Sequence, residues 1–439
     1  MRKLGRFIWT FISPTNIFHY DNILSLSIFI LVLLGLGRIQ FEFLNPIADA
    51  FSDVELTDIV YSKFDKNNLY RETINGQTEL DTNITLVNIG HLSRGEIADL
   101  INIINLHQPK VVGLDALFRS PKDTLTDLYL AEALFNTENL VLACEAKGFN
   151  HESVDGKHEI GSFESLALSM ELISSSTPNL AYVNMQTNKE EADIYDEFAI
   201  CRKFIPEARI QESNDTIRSF GIEIVNQYKP EALDQLHERN LASEVINYVG
   251  NIEYYPKAHF KTYDFLEIFD NQFDPKHIKG KLVLLGFLGE TLDYQTDEDR
   301  FFTPLNDKYI GKAHKDMYGV VIHANIISTV LKENYIDEMS DGIGITIGII
   351  IAYLVFAIYR PIYYEYKIWY DGVTKLIGII VVFVIMAIIG YVFWAYDYEI
   401  KFHPVFLGIV LLAGDYLEIY YGLGKNIARK LKKKKEVSY

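Results

Sequence analysis

The sequence predicts an α/β domain with a mostly parallel sheet, carried by four transmembrane α-helices, one before the domain and three after it. Three observations predict this. From about Asp81 onward, short β-rich runs alternate with stretches of helical spacing. Long apolar runs lie near both ends of the chain, while the middle has the composition of a water-facing domain. Basic residues crowd the ends, so the acid excess behind the formal net charge of −18 falls on the middle.

The first apolar run, Ile23 to Gly37 (ILSLSIFILVLLGLG), carries no charge and is slightly short for a span. Arg38 can snorkel, and Ile39 and Phe41 extend the run. A cleavable signal peptide is the competing reading. No small-x-small site follows closely, and Arg38 stands where cleavage would fall, so the expectation is an uncleaved anchor. Ahead of it, Phe7, Ile8, Trp9, Phe11 and Ile12 are expected along the membrane interface until Pro14 stops them.

Three more runs follow: Gly342 to Tyr359, Leu376 to Trp394, and Pro404 to Tyr421. Positive charge orients them. Arg360, Lys367 and Lys375 lie between runs two and three, and Lys425, Arg429, Lys430 and Lys432 to Lys435 follow run four. The link between runs three and four sets Asp397 and Glu399 against a single Lys401. Both termini are therefore expected in the cytoplasm, with the central domain outside. The expected division is 1–39 (N-terminus and first span), 40–340 (outer domain), 341–422 (three spans) and 423–439 (basic tail). Gly344 and Gly348 make a small-xxx-small face suited to close helix packing. Asp415 and Glu418 lie in the cytoplasmic half of run four, and an acid in hydrocarbon marks a functional position by default. The alternative places both acids at the headgroups, within reach of the basic tail. These four residues are the candidates for packing and transmission within the spans.

In the outer domain, Ile84–Ile89 (ITLVNI) reads as a buried strand. Glu96–Leu106 reads as a helix with Ile97, Leu100, Ile101 and Ile104 on one face, and Lys110–Asp115 (KVVGLD) as a second strand. Two strands joined by one helix form a βαβ unit, which implies a parallel, Rossmann-like sheet. Further strands are expected at Leu140–Ala146, Leu180–Val183, Phe198–Phe204, Val245–Tyr248 and Lys281–Leu285. Helices are expected around Leu128–Leu134, Ile217–Tyr228 and Val320–Leu331. The stretch from Lys147 to Ser176 is polar and shows no clear period.

Ligands of open parallel sheets bind at the carboxyl ends of the strands. Asn88 and Asp115 fall at such ends, and Arg94 opens the next helix, so Arg94 and an ionised Asp115 are expected to meet as a polar cluster. The alternative is a structural ion pair that fixes the loop to the sheet. His323 and Asn325 open the last helix of the domain, where a histidine can hold an anion or a metal. No second histidine or cysteine has ligand spacing from His323, and His314 is nine residues away, so no metal site is expected. The alternative is a packing histidine. Asp299, Arg300, Thr303 and Pro304 are expected to form a turn with a structural role. No nucleophile elbow, Walker loop, HExxH or dinucleotide glycine pattern occurs, so neither a catalytic residue nor a cofactor is expected. An acidic domain repels nucleic acid, which is not expected as a partner. Cys144 and Cys201 are too few for a disulfide framework or a zinc site. Two buried thiols are expected, with one bridge as the alternative.

The run ITLVNIGHLSRGEIADLINIINLHQPKVVGLDALF at 84–118 resembles the opening of the CHASE2 extracellular sensory domain. INYVG at 246–250 and YDFLE at 263–267 resemble it too, as do GKLVLLG at 280–286, DRFFTPL at 299–305 and GVVIHANIISTVL at 319–331. The segment order and the three helices after the domain also match, and the resemblance covers residues 40–425. There are departures. The family usually has an aspartate or two where this chain has Asn88 and Gly90, and a Trp-Pro pair before Arg94 that is absent here. The resemblance implies a sensor or receptor in a bacterial cytoplasmic membrane, with its domain on the periplasmic or extracellular side. It would bind a small molecule, peptide or protein there. Members generally continue into a cytoplasmic kinase, cyclase or diguanylate cyclase. This sequence reaches Tyr439 after a short basic tail, so the expectation is output through a separate protein partner or a homo-oligomer. The alternative is a non-catalytic scaffold subunit of a cell-envelope complex. An enzyme comes third.

Overall fold

The computed structural model describes residues 13–36, 55–63, 73–74, 77–78, 80–154, 158–185, 200–253, 257–294, 296–308 and 314–437. The chain divides into two units, Ala50–Ile336 and a second made of Met1–Asp49 with Asp337–Tyr439.

In the first unit, β1 (Asp81–Asn88), α1 (Arg94–Leu106), β2 (Val111–Leu114), α2 (Thr124–Phe135) and β3 (Leu140–Val154) come in turn. They are followed by β4 (His158–Ala167), β5 (Leu180–Tyr182), β6 (Glu207–Ile210), β7 (Thr216–Arg218) and α3 (Phe220–Tyr228). Then come β8 (Asn251–Ile252), β9 (Ala258–Tyr263), β10 (Leu282–Gly286) and α4 (Gly319–Leu331). The ten strands make one sheet in the order β7-β6-β4-β3-β2-β10-β1-β9-β8, with β5 added beside β3. Every pairing from β3 across to β8 is parallel, as are β3–β5 and β4–β6; β3–β4 and β6–β7 are antiparallel. The mostly parallel α/β sheet expected from the βαβ pattern is present.

The central strands read as continuous apolar runs because both faces are covered. Val112 of β2, Val283 of β10 and Thr85 of β1 lie side by side in register. On one face, Val87, Val112, Leu114, Val283 and Leu285 pack with Ile97, Leu100, Ile101 and Ile104 of α1 and Leu130 and Leu134 of α2. Each such aliphatic side chain, fully buried, contributes about 1.5–3 kcal/mol. On the other face α3 comes so near the sheet that a Cβ at Gly113 would lie 2.7 Å from Ile224 Cδ1. That approach holds Ile224 and Phe220 against β2.

α1 begins two residues before the expected start. Ser93 accepts from the Glu96 N–H, and the Glu96 carboxylate accepts from the Ser93 N–H, a capping box that sets the first turn at Arg94. The polar stretch 147–176 holds most of the long β3–β4 hairpin, in which residues 145–154 pair with 158–167. α3 starts at Phe220, because Thr216–Arg218 is taken by β7. The strand expected at Val245–Tyr248 ends at Val245, and beyond it the Asn247 and Tyr248 side chains donate to the distant Asn334 and Cys201 carbonyls. Phe198, at the start of another expected strand, lies outside the described residues. Cys144 and Cys201 are separate buried thiols, and burial pushes each up to about 12.

Among the described residues, the second unit holds four helices long and apolar enough to cross a membrane, within Pro14–Leu33, Asp341–Glu365, Tyr370–Tyr396 and Val405–Gly424. Pro14 does not stop a helix but opens one, at the first-turn position where its missing N–H costs nothing. The interfacial segment Phe7 to Ile12 and the side chains of the basic tail lie outside the described residues. Polar side chains tie the helices together. Asn16 Nδ2 donates to the Ala357 carbonyl (2.8 Å), Arg360 Nη1 to Asn16 Oδ1 (3.0 Å), and the Tyr370 hydroxyl to the Gly414 carbonyl (3.0 Å).

Candidate functional site

Three adjacent strands, β1, β10 and β2, end together, and their carboxyl ends carry Asn88, the loop after Gly286, and Asp115. Asn88 is fully buried. Its Nδ2 donates to Asp264 Oδ2 (3.2 Å) and to the Gly289 carbonyl (3.1 Å). Its Oδ1 accepts from the N–H groups of Gly90 (3.0 Å) and Leu288 (2.9 Å). All four capacities of the amide are used. Asp264 in turn accepts from the Leu292 N–H (3.0 Å) and caps the helix Phe265–Phe269. Asn88 is thus a latch between β1, the loop after β10 and that cap.

Arg94 does not meet Asp115. Its Nη1 is paired with Asp127 of α2, its Nη2 donates to the Ser120 carbonyl (2.6 Å), and its guanidinium lies 5.5 Å from the centre of the Phe118 ring. Asp127 also accepts from the Lys122 N–H (2.9 Å), and the Arg94 hydrogen bond holds its carboxyl below the usual range. The loop after β2 turns back on itself, so α2 and not the strand end supplies the partner for Arg94. The pair fixes that loop to the helix layer.

Asp115 faces another acid instead. Its N–H donates to the Leu285 carbonyl (2.8 Å), which anchors it at the edge of the sheet. Although it keeps part of its surface, desolvation first and the Asp299 carboxylate second push it up to about 8. The expected ionised Asp115 is therefore corrected: with no guanidinium beside it, the carboxyl keeps its proton at neutral pH. Asp299 stands at φ +52, and its carbonyl accepts the Gly319 N–H (3.1 Å) at the start of α4. Its rim is open to water, yet desolvation and then Glu298 raise it to about 6.

His323 and Asn325 lie in the opposite layer. His323 is buried with its ring 5.1 Å from that of Phe220, and burial lowers it to about 3, so it is neutral. Asn325 Oδ1 accepts from the N–H groups of Val249 (2.8 Å) and Gly250 (3.2 Å), and Nδ2 donates to the carbonyls of Gly250 (3.0 Å) and Val321 (2.9 Å). It pins the chain before β8 to α4. Among the described residues no three His, Cys, Asp or Glu side chains converge as metal ligands.

Beyond Asp299 lies a cavity of about 560 Å³ lined by polar groups, among them Lys257, Arg300, Lys308, His314, Lys315 and Asp316. Arg300 belongs to the short strand Arg300–Phe301, which pairs with Met317–Tyr318. Its guanidinium is buried and lies 5.3 Å from the centre of the Tyr318 ring. Asp316 accepts from the Thr303 N–H (2.9 Å) and hydroxyl and from Asn306 (3.2 Å), and burial raises it to about 6 against those hydrogen bonds. Lys257, held at φ +60, donates to the Leu305 carbonyl (2.9 Å). The turn expected at Asp299, Arg300, Thr303 and Pro304 thus lies beside the cavity, whose Lys257, Lys315 and Asp316 no sequence motif marks. The signal available was the density of charge between Asp297 and Asp316.

In the second unit, a Cβ at Gly344 would lie 1.9 Å from the Lys401 carbonyl oxygen, and one at Gly348 would lie 2.3 Å from the Phe406 ring. The small-xxx-small face is therefore used inside the chain, where the second span meets the fourth. Asp415 is half exposed and lies 3.6 Å from Lys375, which also pairs with Asp371 (2.7 Å). Glu418 is exposed beside it.

The CHASE2 domain family matches residues 23–358, from inside the first span, across the whole outer unit, into the second. No curated protein and no solved structure matches the chain. With its ten-strand mixed sheet flanked by apolar helices and most of its length matched, the chain belongs to the CHASE2 domain family, a family of extracellular sensory domains.

Proposed function

We propose that this chain is a non-catalytic membrane sensor whose outer domain binds a small polar ligand beside Arg300 and passes the signal through its spans to a separate protein. The observation that carries this reading is the cavity itself. Its volume of about 560 Å³ falls in the range typical of small-molecule sites, and a buried guanidinium contributes to its wall. The domain is proposed to face the periplasm or exterior of a bacterial inner membrane, with both termini cytoplasmic. Arg360, Lys367 and Lys375 support that orientation, and so do Glu338 and Asp341 around Lys401 at the opposite links.

Thermal unfolding of the full chain in detergent, screened against small polar metabolites, tests the ligand reading. A compound that raises Tm in the wild type is expected to lose most of its effect in Lys308→Glu with Lys315→Glu, both on the rim. An unchanged shift in that variant removes the cavity as the site. Cysteine labelling tests the orientation: a cysteine at Lys308 should react in intact cells and one at Lys432 only after permeabilisation. A second reading, a scaffold subunit of an envelope complex, is favoured by one observation, the exposed Leu125, Leu128 and Phe135 on the outer side of α2. Stable recovery of another membrane protein, with no compound shifting Tm, would decide for it.

A further inference from the structure

The wall of the Arg300 cavity carries charge of both signs. Its cations are Lys257, Arg300, Lys308 and Lys315, and its carboxylates are Asp297, Asp307 and Asp316. What a ligand can use is the part of this charge that the fold has not already engaged. Asp316 accepts from the Thr303 N–H and hydroxyl and from Asn306 Nδ2. Asp307 lies 3.5 Å from Lys257 Nζ. Asp297, at the exposed edge, is the one carboxylate of the wall with no partner among the described residues.

The two amides of the wall are engaged as well. Asn306 Nδ2 donates to the His314 carbonyl (2.9 Å), and its Oδ1 accepts the Lys308 N–H (2.9 Å). Asn251 Nδ2 donates to the Asp316 carbonyl (3.1 Å), and its Oδ1 accepts the Ile252 N–H (2.9 Å). Lys257 Nζ donates to the carbonyls of Leu305 (2.9 Å) and Ser62 (3.2 Å). The ammonium groups of Lys308 and Lys315 differ. Among the described residues neither has a hydrogen bond or an ion pair. Burial and Glu298 raise the Asp299 carboxyl and Lys315 opposes them, yet no ion pair joins Lys315 to Asp299.

Lys315 is only partly exposed, so it has given up part of its hydration without gaining a counter-charge. An oxyanion offsets that cost through charge-assisted hydrogen bonds. A neutral molecule leaves both ammonium groups unpaired, and a cation meets them together with the buried Arg300 guanidinium. Two spare ammonium groups against one spare carboxylate therefore select a ligand of net negative charge.

We propose that the ligand of the Arg300 cavity is a small oxyanion, a carboxylate or a phosphate ester, held by Lys308 and Lys315. This deepens the ligand reading and rests on it. The test titrates the full chain in detergent with succinate, its neutral diamide, glycerol phosphate, glycerol and the dication putrescine, read by calorimetry and by Tm. Succinate or glycerol phosphate should bind, and the neutral counterparts and putrescine should not. Which of the two anions binds separates a carboxylate from a phosphate. Lys308→Gln with Lys315→Gln should weaken that binding by at least about tenfold, since each change removes a charge-assisted hydrogen bond. Lys122→Gln with Lys279→Gln removes the same charge at exposed positions elsewhere and should leave binding unchanged. Lys308 and Lys315 tie down no other side chain, so circular dichroism should stay that of the wild type. Binding of the diamide, glycerol or putrescine that is lost with Lys308 and Lys315 would overturn the oxyanion and leave the cavity as the ligand site. Anion binding reduced equally in both lysine variants, or in neither, would overturn the assignment to Lys308 and Lys315. Silence from both anions, while the metabolite screen yields a neutral or cationic ligand of the cavity, would overturn the oxyanion alone; silence from this panel and from the screen would overturn the ligand reading with it.

Discussion

Asp115→Asn is expected to stabilise the protein at neutral and alkaline pH and to leave it unchanged near pH 4. The Asp115 carboxyl is pushed up to about 8 in the fold, against 3.8 for an ordinary aspartate. The native state thus holds this proton more tightly than the unfolded state does. Stability from this group is fully present below about pH 4 and is lost as pH rises through 8. At 1.36 kcal/mol per pH unit, the ceiling is about 6 kcal/mol over the whole window and about 4 kcal/mol at pH 7. Asp115 keeps part of its surface, and solvent screening roughly halves this, leaving ~2 kcal/mol at pH 7. At ~2–4 °C per kcal/mol for a domain of this size, Asn should raise Tm by about 4–8 °C at pH 7 to 8. Thermal unfolding followed by circular dichroism at pH 4, 5.5, 7 and 8.5 reads this directly. Asp299→Asn provides the comparison: its titration near 6 makes its gain grow only between about pH 4 and 6 and stay level above that. Parallel curves for wild type and Asp115→Asn, or a less stable variant at pH 8, would refute the reasoning by showing an ionised and partnered Asp115.

Asn88→Ala removes four hydrogen bonds at a fully buried position and leaves Asp264 and two loop amides short of partners. We expect a loss of ~2–4 kcal/mol in denaturant unfolding, and a loss under 1 kcal/mol would show that water replaces the latch. His323→Leu removes a ring that is neutral in the fold but takes up a proton in the unfolded chain below about 6.5, so its cost should stay near ~1.5 kcal/mol at pH 7 to 8 and shrink as pH falls toward 5. A cost that does not change between pH 7 and 5 would mean that His323 titrates in the folded protein as it does in the unfolded one. Gly348→Leu should prevent recovery of the folded span bundle, because the second span can no longer approach Phe406. Well-folded Gly348→Leu protein with only its oligomeric state altered would return this glycine to an interface between copies.

The βαβ opening was legible because ITLVNI and KVVGLD are short apolar runs and the segment between them keeps a 3.6-residue period. The β3–β4 hairpin was not, because the run from Lys147 mixes charged and polar residues with few apolar ones. The rule that parallel sheets open at their carboxyl ends brought Asn88 and Asp115 to one edge correctly. It could not say which side chains meet there. Arg94 lies close to Asp115 in sequence, but the turn at 116–123 delivers Asp127 to it. Asp299 reaches Asp115 from a segment far along the chain, and no local pattern announces such a contact. Gly344 and Gly348 were visible as a packing face, but sequence alone does not distinguish a neighbouring span from a neighbouring molecule.

The segments that mark the family divide by what their side chains do. Asn88, Asn325 and the INYVG stretch turn their polar groups to backbone and to neighbouring side chains within the frame, Asp264 and Tyr61 among them. The DRFFTPL stretch lies elsewhere: Asp299 is at the surface and Arg300 at a cavity wall, and the same two residues are tied to the start of α4. The Asp299 carbonyl takes the Gly319 N–H, and Arg300 pairs with Tyr318 across two short strands. In the proposed reading, a ligand that pulls on Arg300 would therefore load the first turn of α4. The side chains along α4 from Gly319 to Val330 are all buried, so the helix cannot yield locally and must carry that load as a rigid body. In sequence α4 is the last helix before the second span, so in the proposed reading the Arg300 cavity, and not the latch at Asn88, is where a ligand would act on the end of the domain.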